Sequence, residues 1–103
     1  MRVLKPGLRL KSAVCSTEIM VIRSPGVEAL ITCGGAEMLA IAEAAPAGLK
    51  LEQAHAGGSL IGKRYVDAAE ALELLCTKGG EGSMSVDGQP LGIKQAKALP
   101  SSD

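Results

Sequence analysis

Ser83-Met84-Ser85-Val86-Asp87-Gly88-Gln89-Pro90-Leu91 is the stretch whose reading decides the fold class. Ser83 to Val86 alternates polar and apolar residues, the period of a half-buried strand. Asp87-Gly88 supplies the two positive-φ positions of a tight hairpin turn. Gln89 to Leu91 is then the return strand, and Pro90, which has no N–H to donate, assigns it to an edge. A second turn lies upstream at Ser24-Pro25-Gly26-Val27, where Pro presets φ and Gly permits φ > 0. Glu18 to Arg23 before it (E-I-M-V-I-R) is rich in β-branched residues and too short for a helix. Glu28 to Cys33 follows as a second strand, which predicts a hairpin across Pro25-Gly26. Leu72 to Thr77 is a further strand, with Leu72, Leu74 and Cys76 on one face and Glu73 and Thr77 on the other.

An internal echo supports the same class. Glu28 to Met38 and Glu73 to Met84 both run acidic residue, apolar strand, Cys, Gly-Gly, acidic residue, Met. Each copy predicts a strand, a glycine turn and a return strand, although two copies do not make a repeat architecture. Two segments read equally well as short helices. Ala36 to Ala45 is Ala-rich and stops before Pro46, and Asp67-Ala68-Ala69-Glu70 has capping-box spacing for a helix through Leu75. The expectation is an all-β or β-dominated α+β domain of roughly six to eight strands. It would be a small antiparallel barrel, roll or sandwich with at most one or two short helices. The single domain spans residues 1–95, with Ala44 to Gly48 as a loop and 96–103 as a flexible C-terminal tail.

Composition narrows the function classes. The chain has 103 residues, 11 Lys plus Arg against 11 Asp plus Glu, 47% apolar residues and one aromatic, Tyr65. Folding would leave roughly 5,400 Å² exposed of about 15,000 Å², enough for a modest core without staples. Zero formal charge and the lack of Phe and Trp argue against nucleic acid, which needs basic faces and stacking platforms. The start carries no apolar signal region, and the longest strongly apolar run, Ile19 to Ile22, is far too short to span a membrane. Three widely spaced cysteines are no secreted disulfide framework, so a cytoplasmic location is expected. Ile19 to Ile22 is apolar on both faces, which implies burial on both sides or a sticky edge, hence a homo-oligomer.

Three constellations could carry chemistry. Gly57-Gly58-Ser59-Leu60-Ile61-Gly62-Lys63-Arg64 fits G-x-x-x-x-G-K, but Arg64 stands where a phosphate-binding loop needs Ser or Thr to hold Mg²⁺. A reduced form survives, in which the amides of Gly57, Gly58 and Gly62 with Lys63 and Arg64 hold a small anion. Cys15, Cys33, His55 and Cys76 have the composition of a tetrahedral zinc or iron site, without the close ligand pairs such sites use. The competing reading makes each cysteine a small core side chain. Cys33 or Cys76 with His55 as base would make a thiol nucleophile, since glycine amides follow both cysteines. Glu70 and Glu73 are neighbours only if their segment is helical, and read as solvated surface.

Leu10 to Val21, Gly62 to Tyr65 and Leu74 to Val86 together resemble a group of small bacterial proteins of about this length. The resemblance covers nearly the whole chain. It implies a free-standing domain and carries no activity, cofactor or functional residue with it. The leading expectation is therefore a non-catalytic accessory or binding protein, acting through a protein partner or a small anionic ligand and without a cofactor. The alternative is a metal- or thiol-dependent protein built on Cys15, Cys33, Cys76 and His55.

Overall fold

The structure is a computed structural model, and it describes residues 2–94. The tail at 96–103 lies outside the described residues. Twelve short strands run β1 (Arg2–Val3), β2 (Arg9–Lys11), β3 (Glu18–Arg23), β4 (Glu28–Ala29), β5 (Ile31–Cys33) and β6 (Ala36–Glu37), then β7 (Leu39–Ala40), β8 (Arg64–Val66), β9 (Glu73–Lys78), β10 (Met84–Val86), β11 (Gln89–Pro90) and β12 (Gly92–Ile93). They form three sheets ordered β12-β8-β9-β3-β2-β7, β11-β10-β5-β6 and β1-β4. Every strand pair is antiparallel. The class is the β-dominated one expected, but no sheet closes on itself, so the barrel alternative drops out. All three sheets contribute to one core, from Leu4, Leu10, Ile19 and Val21 through Ala29, Ile31, Cys33 and Met38 to Tyr65, Leu72, Leu74, Cys76 and Met84.

The Asp87-Gly88 hairpin forms as read. Val86 pairs with Gln89, and Asp87 (φ 49°) and Gly88 (φ 81°) take the two left-handed positions of the turn. The Asp87 carboxylate also accepts the Leu30 N–H at 2.8 Å. That bond helps break the expected Glu28–Cys33 strand into β4 and β5, which then pair with different partners, β1 and β10. The turn at Pro25-Gly26 is made, with Gly26 at φ 81°, yet it does not close a hairpin. β3 pairs with β2 and β9, so the turn carries the chain to another sheet.

Neither helix forms. Gly34 and Gly35, both at positive φ, fold Ala36 back onto Cys33. Met38 then donates to the Ile31 carbonyl and is fully buried. Strand pairing thus satisfies backbone groups that a helix would have satisfied internally, and overrides the alanine propensity. At Asp67-Ala68-Ala69-Glu70 the side chain of Asp67 accepts the Leu72 N–H at 3.2 Å instead of capping a helix. Glu70 turns left-handed (φ 56°), and Val66 pairs with Glu73. The one helical element among the described residues is a 3-10 turn at Gln53–His55.

The echo is structural in its first copy only. β5, Gly34-Gly35 and β6 make the expected hairpin, whereas β9 and β10 belong to different sheets, joined by Gly79 to Ser83. β3 is no edge: it lies between β9 and β2, with Ile19 and Val21 buried and Met20 and Ile22 half-buried.

Candidate functional site

Two of the three cysteines meet where the six-stranded and four-stranded sheets come together. Cys15 sits in the loop joining β2 to β3. Lys11 pairs with Glu18, and the Ser12 N–H donates to the Thr17 carbonyl at 2.8 Å, which closes the loop. The Ser12 hydroxyl oxygen accepts the N–H groups of Val14 and Cys15, each at 3.1 Å, a side-chain turn that fixes the backbone carrying the thiol. Cys33 ends β5 and is fully buried, paired with Met84 on one side and Ala36 on the other. The two sulfurs lie 3.8 Å apart and are not bonded.

Backbone without side chains closes over this pair. The Gly82 N–H donates to Cys15 Sγ at 3.4 Å, and Cys15 Sγ lies 3.3 Å from the Thr17 hydroxyl. A Cβ on Gly80 would come within 3.0 Å of Cys15 Sγ and closer still to Thr17. One on Gly82 would lie 2.9 Å from Cys33 Sγ and 2.8 Å from the Gly34 nitrogen. Gly80 and Gly82 are therefore packing requirements of the thiol site, whereas a Cβ on Gly79 would meet Ser59 and Ile61 instead.

The two thiols have opposite electrostatics. Burial opposes ionisation of Cys15, but hydrogen bonds from the Ser12 and Thr17 side chains and from the Thr17 and Gly82 backbone outweigh it and bring its pKa down to about 7. Burial pushes Cys33 up to about 11; the neighbouring Cys15 charge adds to this, and contacts with Thr17 and Ser12 offset it only partly. Cys76 is likewise raised by burial, against a backbone contact at Lys78 and with the Cys15 charge adding to the rise. Its thiol donates to the Lys78 carbonyl at 3.2 Å.

The four-ligand metal set is not assembled. His55 directs its ring toward Glu52 (Nε2 to Oε2, 3.8 Å), and Cys76 is engaged with Lys78. Among the described residues no three His, Cys, Asp or Glu side chains group to hold a metal ion. No hydrogen bond links His55 to a cysteine among the described residues. Several amides of the glycine loop are engaged within the protein. Gly58 and Ser59 donate to Glu81 and Gly80, Gly62 to Cys76 and Lys63 to Leu60. The Leu60 N–H goes to the Tyr65 hydroxyl at 2.9 Å. Of the two basic residues, Arg64 reaches Glu73 at 3.3 Å.

Glu73 departs from the solvated reading: it is only 2% exposed. Lys94 holds it at 2.8 Å and Arg64 from the other side. The Lys94 hydrogen bond, against the cost of burial and helped by the charges of Lys94, Arg64 and Arg23, keeps its carboxyl below the usual range. Glu70 is exposed in the turn, so the two carboxylates make no pair.

Sequence reasoning favoured Cys33 and Cys76 as nucleophiles, and the structure makes Cys15 the acidic thiol. The available signal was the pair of hydroxyls at Ser12 and Thr17 flanking Cys15, together with Gly80 and Gly82. Among the described residues no helix is long and apolar enough to cross a membrane. Comparison with protein-family models, with curated proteins and with solved structures found no match.

Proposed function

We propose that the protein is a thiol–disulfide redox module in which Cys15 attacks and Cys33 resolves. The observation that carries this reading is the placement of the Cys15 sulfur 3.8 Å from that of Cys33, with Cys33 wholly buried and Cys15 partly exposed. An external disulfide can therefore be attacked only by Cys15. The Cys15 thiolate displaces one thiolate of the substrate and forms a mixed disulfide. Cys33 then loses its proton and attacks the Cys15 sulfur, which releases the second substrate thiolate. The protein ends as a Cys15–Cys33 disulfide and the substrate as two thiols, with two electrons transferred. An attacking thiol with a pKa near ambient pH is the favourable case for such exchange.

The non-catalytic accessory reading remains the alternative, supported by the two buried cysteines whose thiols stay protonated. Association of copies through the half-buried Met20 and Ile22 face belongs to that alternative, and a reducing cytoplasm suits both. Equilibration with mixtures of reduced and oxidised glutathione, followed by acid quenching and alkylation, separates the readings. A Cys15–Cys33 disulfide, lighter by two hydrogens and absent in Cys33→Ser, supports the redox reading. Three thiols that stay reduced and react slowly restore the accessory reading. Stoichiometric zinc lost on Cys33→Ser would replace both with a metal site.

A further inference from the structure

The six-stranded sheet turns one face to the core, lined by Leu10, Ile19, Val21, Tyr65, Leu74 and Cys76. Side chains alternate along a strand, and residues opposite one another in register share a face. Arg9, Met20, Leu75 and Arg64 therefore stand in one row across β2, β3, β9 and β8 on the outer side. Lys94, whose N–H bonds the Arg64 carbonyl, extends that row. A second row runs from Lys11 through Glu18 to Lys78, and on the other flank Arg23 stands opposite Glu73. Met20, Ile22 and Leu75, at the centre, each keep part of their surface in solvent.

This face is unbalanced in a chain whose formal charge is zero. Arg9, Lys11, Arg23, Arg64, Lys78 and Lys94 stand on it against Glu18 and Glu73. Glu73 is already held by Lys94 and Arg64, yet Arg64 keeps 57% of its side chain in solvent. Arg9, Lys11 and Arg23 make no ion pair among the described residues. Positive charge thus frames an apolar centre. Three steps of strand spacing put Arg9 and Arg64 about 14 Å apart, with Met20 and Leu75 between them.

Charge complementarity decides what fits there. A two-fold contact between copies through this face would set its cations against themselves. Nucleic acid asks for cations along a phosphate track and for aromatic platforms. Here the middle of the row is neutral, and the one aromatic, Tyr65, belongs to the core. A bilayer takes up protruding apolar side chains, whereas Met20, Ile22 and Leu75 are half-buried. A polypeptide with apolar residues between carboxylates satisfies both parts of the pattern.

We propose that the outer face of β2, β3, β9 and β8 docks an acidic segment of a partner protein, its apolar side chains over Met20 and Leu75 and its carboxylates at Arg9 and Arg64. The inference goes beyond the redox reading and does not depend on the chemistry of Cys15 and Cys33.

The test is fluorescence anisotropy with a labelled synthetic peptide that has two central leucines and three glutamates on each side. The parent should bind it saturably, and more weakly as salt rises. Peptides with lysine for glutamate, or glycine for leucine, should bind about fivefold or more weakly. Arg9→Glu, at an exposed position, should cost about fivefold or more in affinity for the first peptide. Met20→Gln, similar in length, should weaken the leucine peptide and leave the glycine peptide unchanged. Lys50→Glu makes the same charge change beside Leu51, which packs at the Gly34 turn of the four-stranded sheet, and should leave binding as it is. Urea midpoints check that each variant folds, and Met20→Gln with the paired peptides carries the test if Arg9→Glu does not. No saturable binding by the parent, equal binding of the lysine peptide, or equal losses in Arg9→Glu and Lys50→Glu overturn the proposal. Phosphatidylserine vesicles or single-stranded DNA that bind through Arg9 more tightly than the peptide overturn the partner class. Dimers in light scattering that dissociate in Arg9→Glu would give the face to a second copy and overturn it as well.

Discussion

The asymmetry of the thiol pair gives a quantitative expectation for alkylation. About four pH units separate Cys15, near 7, from Cys33, near 11. At pH 7 about half of Cys15 is thiolate, against roughly one part in 10⁴ of Cys33. Intrinsic nucleophilicity works the other way, because a Brønsted slope of about 0.4–0.5 returns close to two of those four decades to Cys33. Chemistry alone then leaves Cys15 ahead by about 10², and the complete burial of Cys33 widens the gap. Iodoacetamide added from pH 5 to pH 9, with peptide mapping by mass spectrometry, reads each site separately. The Cys15 rate should rise with a midpoint near 7 and level off above pH 8. Thr17→Val keeps the shape of a buried residue and removes a hydrogen bond to the charged sulfur, worth about 1.5–3 kcal/mol. That corresponds to an upward shift of about one to two pH units in the midpoint. A parent midpoint at 8.5 or above (the range of a free thiol), or a Thr17→Val midpoint that does not move, would refute the hydrogen-bond account.

Three further outcomes follow from the same contacts. Cys15 has a folded pKa below that of the unfolded chain, so its contribution to stability is complete above about pH 9 and is lost as pH falls through about 7. Cys33 has the opposite sign: its contribution is present below about pH 9 and lost as pH rises through about 11. The difference in urea midpoint between the parent and a Cys15→Ser/Cys33→Ser variant should therefore peak near pH 9, and a flat difference would contradict the assignment. Gly82→Ala places a methyl against Cys33 and Gly34 and should cost about 1–3 kcal/mol in urea unfolding while raising the Cys15 midpoint; a variant as stable as the parent would show that the close packing is wrong. Glu73→Gln keeps the shape but leaves Arg64 and Lys94 without an anion. It should lower thermal stability at pH 7, remove the loss of stability that protonating Glu73 causes in acid, and speed hydrogen exchange of the Lys94 amide, which bonds the Arg64 carbonyl at 2.7 Å.

What was legible in the sequence was local. Asp87-Gly88 dictates its own hairpin because two adjacent positive-φ residues leave few alternatives, and Leu72, Leu74 and Cys76 reach the core by strand alternation. Pro25-Gly26 shows where local reading ends. The residues make the turn, but which strands pair across it depends on partners far away in the chain. Ala36 to Ala45 failed for a related reason, since helix propensity is weak beside a Gly34-Gly35 turn that puts the chain back against β5. The thiol site was the least legible part. Cys15 and Cys33 are 18 positions apart, and Gly82, which completes the site, is 67 positions from Cys15. Only sheet packing brings them together. Glu73 looked like surface because its two cations come from outside its own strand, Arg64 from the adjacent β8 and Lys94 from just past β12.

The same contacts bear on which redox state the folded protein favours, and magnitudes decide between two opposed effects. The hydrogen bonds that acidify Cys15 act on a charged sulfur, so they favour the reduced protein. At pH 7, with a pKa near 7, that preference is at most about 0.4 kcal/mol, and screening at a partly exposed sulfur lowers it further. Against it stands chain entropy. Cross-linking residues 18 positions apart restricts the unfolded chain by an amount worth about 3 kcal/mol. Drawing the sulfurs from 3.8 Å to bonding distance moves Cys15 away from Thr17 and Gly82, which subtracts from that figure but need not cancel it, because Ala13 to Ser16, between the buried Ser12 and Thr17, are not themselves buried. The oxidised protein should therefore unfold at a higher urea concentration than the reduced one at pH 7, and the gap should narrow toward pH 9 as the thiolate gains weight. An oxidised form less stable than the reduced form at pH 7 would mean that closing the bond strains the sheet junction by more than the cross-link contributes. Cys15 and Cys33 would then be neighbours held apart, and the redox reading would fail on energetic grounds.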